Sequence, residues 1–235
     1  ARVDSRNSAM SLVANMLGQP ELLARSKPLT VVYKGKAVEG TFMELAKGSD
    51  GANISKNDPI LKCSRRSYNN AQLLKSIADL QILDFLCGNV DRHGGNLTYI
   101  VDNSDPDSPK VTGVQGIDND LSFGVRSLSG NQSFFEGTTT FNDILVISRS
   151  MADKVLNVDA DKYIQSLRGQ GLEVDACLAV EKRLMKLQQK IRDGEEYFKG
   201  TEPKQLERGK LRVVNDNEWE KIGLETLAST ARHGN

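Results

Sequence analysis

The residues of this 235-residue chain best suited to chemistry lie between Gly88 and Phe123. They read Gly88-Asn89-Val90-Asp91-Arg92-His93-Gly94-Gly95-Asn96-Leu97 and, after a polar insertion, Gly116-Ile117-Asp118-Asn119-Asp120-Leu121-Ser122-Phe123. An Asp, an Asn five positions later and a second Asp behind an apolar strand form the layout of a phosphoryl-transfer site. In that template one Asp handles the acceptor hydroxyl, while the Asn and the second Asp hold the metal that carries the nucleotide phosphates. Mg²⁺ takes hard oxygen ligands, usually one or two carboxylates plus the phosphates themselves. Taken singly, each cluster reads equally well as a turn, because Asp, Asn and Gly favour turns, and Asp118-Asn119-Asp120 alone would be a turn or a weak cation site. Their order, with a helix before the first and a strand before the second, points to a site derived from a nucleotide-binding loop.

Asp91-Arg92-His93 with Asn96 resembles the Asp-Arg-His-x-x-Asn loop of the phosphatidylinositol 3- and 4-kinase superfamily. Ile117-Asp118-Asn119-x-Leu121-Ser122-Phe123 is similar to the Ile-Asp-Asn-Gly-Leu-x-Phe segment of type II phosphatidylinositol 4-kinases and of actin-fragmin kinase-like proteins, with Asp120 where those relatives carry Gly. The resemblance covers about residues 30 to 125. It implies an α+β, protein-kinase-like fold, with a partial β-rich small lobe over residues 1–46 (a C helix, a hairpin and a hinge) and a mostly helical large lobe over residues 47–235. It also implies ATP and Mg²⁺ (or Mn²⁺) as cofactors and a hydroxyl acceptor on a protein, a small molecule or a phosphoinositide.

By the same resemblance Asp91 orients or deprotonates the acceptor hydroxyl. His93 competes for that role, since imidazole exchanges protons near neutral pH. Arg92 ties the loop together by charge-assisted hydrogen bonds. Asn96 and Asp118 are the metal ligands, and the backbone of Met43, Glu44, Leu45 and Ala46, with Ile117, lines the nucleotide. Asp120, which the relatives lack, could assist at a second metal or, without one, repel the nucleotide.

The elements that must position these residues follow from periodicity. Ala9, Leu12, Val13, Met16 and Leu17 predict a helix over residues 5–17, stopped by Gly18 and Pro20. A hairpin follows, with strands over 29–33 and 37–45 about a Lys34-Gly35-Lys36 turn. Leu73, Ile77, Leu80 and Leu83 predict a helix over 69–86 that delivers the chain into Gly88, and strands over 97–101 and 111–117 flank a solvated acidic loop. Ser127 to Thr140, polar and rich in Gly, Ser and Thr, stands where kinases carry an activation segment. Helices are predicted over 141–156, 160–167, 174–191 and 217–230. In the third, Val174, Leu178, Leu184, Leu187 and Ile191 face inward, and Lys182, Arg183, Lys186 and Lys190 face solvent.

Lys plus Arg equals Asp plus Glu at 31 each, so no global field favours nucleic acid or an anionic membrane. The 38% apolar content suits a globular chain, and no apolar run approaches a membrane span. Three widely spaced cysteines give no disulfide framework and suit a reducing compartment. Cytoplasmic residence is the default expectation, with delivery into another cell open. A kinase small lobe begins with a Gly-rich hairpin and a strand bearing a phosphate-gripping Lys. Neither precedes the first helix, so either a missing N-terminal segment or larger parent chain carries them, which is the favoured expectation, or the small lobe is built differently. A phosphotransferase is therefore the first reading. The alternatives are a pseudokinase or scaffold that binds nucleotide without turnover, and an AMP transferase built on the same ligands.

Overall fold

The computed structural model describes residues 3–51, 56–64, 68, 70–124, 131–133, 137–139 and 144–223, and it is a mixed α+β protein with small sheets. Helix α1 (Val3–Met16) buries Ala9, Met10, Val13 and Ala14; Leu17 is buried just beyond it, and Gly18, at φ 69°, closes the last turn. Strands β1 (Ser26–Tyr33) and β2 (Lys36–Met43) pair antiparallel from Ser26↔Met43 to Tyr33↔Lys36. Their turn is Lys34-Gly35, both at positive φ (49° and 75°), the two-residue geometry that matches strand twist. Lys36 therefore opens β2 and is not part of the turn. The hairpin projects from the body, and Leu29, Val31, Val32, Tyr33, Val38 and Phe42 are exposed on it.

Helix α2 (Ala71–Cys87) is the central element. Asn70 caps its start by accepting from the Leu73 N–H at 3.0 Å, and Gly88 ends it at φ 63°. Its apolar character is not confined to one face. From Ile82 to Cys87 every residue is buried, because α2 has β5 on one side and α5, β8 and α6 on others. Strands β3 (Ser49–Asp50), β4 (Leu97–Asp102) and β5 (Lys110–Gly116) form an antiparallel sheet in the order β3-β4-β5. Ser76 of α2 accepts the Val114 N–H at 3.0 Å, fixing the sheet on the helix. The acidic tip between β4 and β5 is exposed from Asp102 to Ser108, as expected of a solvated loop.

Strands β6 (Asn131–Ser133) and β7 (Gly137–Thr139) pair antiparallel; most of the polar 127–140 stretch lies outside the described residues. Beyond them the sequence reading needs correction. The helix expected over 141–156 is a strand, β8 (Val146–Ser148), followed by α3 (Arg149–Leu156), and residues 141–143 lie outside the described set. β8 pairs in parallel with β9 (Arg212–Val214), which explains the apolar, mostly β-branched run Ile144-Leu145-Val146-Ile147. Ser148 ends the strand and caps α3 through Met151 N–H at 3.1 Å.

Helices α4 (Ala160–Gly169) and α5 (Val174–Tyr197) follow, α5 running well past the predicted Ile191. Its faces also differ from expectation: Val174 and Leu178 are exposed, while Arg183 and Lys190 are buried. The buried stripe is Ala176, Cys177, Val180, Arg183, Leu184, Leu187, Lys190, Ile191 and Gly194. At its end a Cβ on Gly194 would lie 1.8 Å from the Leu211 carbonyl oxygen, so only glycine lets that strand approach. Of the helix expected over 217–230, helix α6 covers only Trp219–Ile222: Asn217 and Glu218 form a turn before it, Gly223 at φ 57° ends it, and residues 224–230 lie outside the described set. Among the described residues no helix is long and apolar enough to cross a membrane.

Candidate active site

The site forms where α2 ends. Gly88 turns the chain out of the helix in the left-handed conformation, and Asn89 is buried immediately after it. Asn89 donates to Asp84 Oδ1 at 3.0 Å and accepts the Asp91 N–H at 3.0 Å, which starts the loop. Arg92 turns inward and is 1% exposed. Its Nε and Nη2 grip both oxygens of Asp84 at 3.0 and 2.9 Å, a bidentate pair on the last turn of α2. Nη1 donates to the carbonyls of Asn96 at 2.7 Å and Ile117 at 2.8 Å, and Nη2 also donates to Asn119 Oδ1. All five guanidinium donors are used, as a buried arginine requires. Arg92 therefore joins the two sequence motifs, with one carbonyl taken from each.

Gly116 is shaped by the same guanidinium. A Cβ there would come within 2.8 Å of Arg92 Cζ, so the ring-like group lies flat against the glycine backbone. The Ile117 N–H donates to the Asn96 carbonyl at 3.0 Å, which draws the second motif alongside the first.

Asn96 is 6% exposed and gives both amide hydrogens to Asp91: Nδ2 lies 2.9 Å from the Asp91 carbonyl and 3.1 Å from Oδ2. Its Oδ1 is the atom this arrangement leaves for a cation. His93 is exposed, and its Nδ1 accepts the Gly95 N–H at 3.0 Å. In the neutral ring the hydrogen then sits on Nε2, which lies 3.8 Å from Asp91 Oδ2.

Asp118 occupies the left-handed region at φ 51°, and Phe123 does so at φ 59°. Asp118 is exposed, Asn119 buried and Asp120 half-buried. Partial burial first, then the charge of Asp120, a hydrogen bond shared with it and the charge of Asp91 raise the Asp118 carboxyl above the usual range; Arg92 opposes this. Three carboxylates thus crowd one locality, the electrostatic condition a bound cation relieves. Among the described residues no three His, Cys, Asp or Glu side chains form a ready-made metal cage. The residues expected to hold Mg²⁺ offer Asn96 Oδ1 and the Asp118 and Asp120 carboxylates instead. These are hard oxygens of the kind that leave the remaining positions to phosphate and water.

The structure brings together Asp91, Arg92, His93, Asn96, Ile117, Asp118 and Asp120. The expected hinge, Met43 to Ala46, runs from the last residue of β2 into the linker that follows it. The Glu44 N–H is committed to the Arg25 carbonyl at 2.8 Å and its carboxylate to Arg25 Nη2 at 2.8 Å. Leu45 is 95% exposed, and Met43 ends β2 opposite Ser26. The strand end that carries the second motif holds this linker: Gln115 accepts the Lys47 N–H at 2.8 Å and donates to the carbonyls of Glu21 and Leu23 at 3.1 Å.

Sequence reasoning missed Asp84, Asn89 and Arg183. The signal for Asp84 was an acid inside an otherwise apolar helical run, eight residues before Arg92. Arg183 of α5 donates to the Leu86 carbonyl at 2.9 Å and the Gly124 carbonyl at 3.3 Å, tying the start and end of the site from behind. No family model matches this chain, and no curated protein matches it significantly.

Proposed function

We propose that the chain carries a kinase-like phosphotransferase site that uses ATP and Mg²⁺ to phosphorylate a hydroxyl acceptor. On this reading residues 1–46 are part of a small lobe and residues 47–235 the large lobe of a protein-kinase-like fold. The observation that carries the reading is the Arg92 clamp, which sets Asp91 and Asn96 beside Asp118 by bonding one carbonyl of each motif. Bringing those groups together is what the phosphoryl-transfer layout requires.

The geometry favours Asp91 over His93 as the base. His93 Nε2 carries hydrogen in the neutral ring, so it can donate but not accept there, whereas Asp91 Oδ2 can accept. In the transfer the acceptor oxygen attacks the γ-phosphorus, its proton passes to Asp91, and the bond to the β-γ bridging oxygen breaks to release ADP. Asn96, Asp118 and Asp120 would hold the metal, which when bound neutralises phosphate charge. His93 Nε2–H faces the same region and can hydrogen-bond a phosphoryl oxygen.

Nucleotide product analysis tests the reading. The chain, with Mg²⁺ and ATP labelled at the α or γ position, is offered protein, small-molecule and inositol-lipid acceptors. Asp91-dependent release of ADP with γ-label on an acceptor supports it. Pyrophosphate release with α-label on the acceptor would make the chain an AMP transferase. Mg²⁺-dependent binding without either product would make it a nucleotide-binding scaffold.

A further inference from the structure

Asp118 can serve a cation only if its carboxylate leaves the backbone in a fixed direction, and that direction depends on the two peptide planes flanking its Cα. Arg92 fixes the first plane by donating to the Ile117 carbonyl at 2.8 Å. The second plane carries the Asn119 N–H, and that hydrogen is given to Asn7 Oδ1 of α1 at 2.9 Å, across 112 residues of sequence. One residue further on, Arg6 of the same helix donates to the Asp120 carbonyl at 3.1 Å. Helix α1 therefore holds the second motif on both sides of Asn119, while Arg92 holds it from the loop.

Asn7 is 7% exposed, on a helix whose other buried positions include Ala9, Met10, Val13 and Ala14. A buried amide is costly in such surroundings unless it is hydrogen-bonded. Its acceptor meets the Asn119 N–H, whose direction is set by ψ of Asp118. The left-handed φ of 51° at Asp118 is disfavoured for an L-residue and persists only when its surroundings enforce it.

We propose that Asn7 is a positioning residue for the cation site: through the Asn119 N–H it holds Asp118 in its left-handed conformation and aims the carboxylate at the metal. The inference rests on the phosphotransferase reading of that site. It makes the seating of α1 a determinant of metal affinity, and so of metal-dependent nucleotide affinity, with no contact between Asn7 and either ligand.

The test titrates ATP with and without Mn²⁺ into the unmodified chain, Asn7→Leu and Asn7→Asp, by calorimetry with electron paramagnetic detection of free Mn²⁺. Asn7→Leu removes the acceptor and leaves a buried N–H unbonded, so Mn²⁺-dependent binding should weaken by about tenfold. Titrations without metal should be the same for the unmodified chain and the variants. Asn7→Asp keeps an acceptor oxygen and should restore most of the metal dependence, a rescue that a general packing role would not give. Should Asn7→Leu fail to fold, Asn7→Gln, which moves the acceptor by one methylene, takes its place with the same expected loss. A folded Leu or Gln variant with unaltered Mn²⁺ dependence overturns the inference and leaves the phosphotransferase reading standing. No Mn²⁺ dependence in the unmodified chain overturns that reading, and the inference with it.

Discussion

Replacing Arg92 by alanine should be among the most damaging single changes in the molecule, and its cost can be worked from the contacts. Arg92 is 1% and Asp84 3% exposed, and they form a bidentate pair at 2.9 and 3.0 Å. Deleting one partner of a buried ion pair leaves the other charge uncompensated, at about 3–5 kcal/mol. The carbonyls of Asn96 and Ile117 and Asn119 Oδ1 lose donors as well. Against a typical total of about 5–15 kcal/mol, Arg92→Ala should lose most of the stability. Arg92→Lys keeps the charge but brings three donors in place of five, so at least two bonds are not remade, at roughly 1 kcal/mol each, about 2 kcal/mol in all. Asp84→Leu with Arg92→Met removes both charges and should be more stable than Arg92→Ala alone. Urea unfolding followed by the fluorescence of Trp219, the single tryptophan and 1% exposed, reads all three variants. A loss under about 1 kcal/mol for Arg92→Ala would refute the clamp.

Two further changes probe the same framework. Asp79 of α2 is 2% exposed and accepts from the Ser148 hydroxyl at 2.9 Å and the Ser148 N–H at 3.3 Å; burial pushes its carboxyl up to about 6. The folded chain therefore binds the proton more tightly than the unfolded chain, whose carboxyl titrates near the ordinary value of 3.8. Its contribution is full below the unfolded value and is lost as pH rises toward about 6, by the order of 3 kcal/mol, and Asp79→Asn should flatten that slope in unfolding curves taken across this window. Gly116→Ala should destabilise by about 1–3 kcal/mol, because the new Cβ meets a guanidinium that five hydrogen bonds prevent from moving; a variant with unchanged urea midpoint would count against that packing.

What the sequence made legible were features encoded locally. The hairpin turn is specified by Lys34-Gly35, the ends of α2 by Asn70 and Gly88, and the loop order by the spacing from Asp91 to Asn96 and Asp118. Arg92 was assigned the role of tying the loop, and it does so. The groups that hold the site from a distance were not legible. Asn7 is 112 residues from Asn119 and Arg183 97 from Leu86, and neither separation has a periodic signature. The basic run from Lys182 to Lys190 looked like a solvated face, because periodicity cannot reveal that Arg183 serves carbonyls at the end of α2. The run Ile144-Leu145-Val146-Ile147 has the apolar character of a helix start because it flows directly into α3. Its partner in β9 lies more than sixty residues away, and only tertiary pairing reveals the strand.

The central claim, a metal-dependent nucleotide site at Asp118, is tested most directly by titrating ATP into the chain with and without Mg²⁺, and again into Asp118→Ala. The account predicts binding that requires Mg²⁺ and disappears in the variant. It also predicts that affinity rises with pH, because the raised Asp118 carboxyl must release its proton to solvent before the carboxylate can bind the metal. Equal binding to the chain and to Asp118→Ala, or binding indifferent to Mg²⁺, would contradict it.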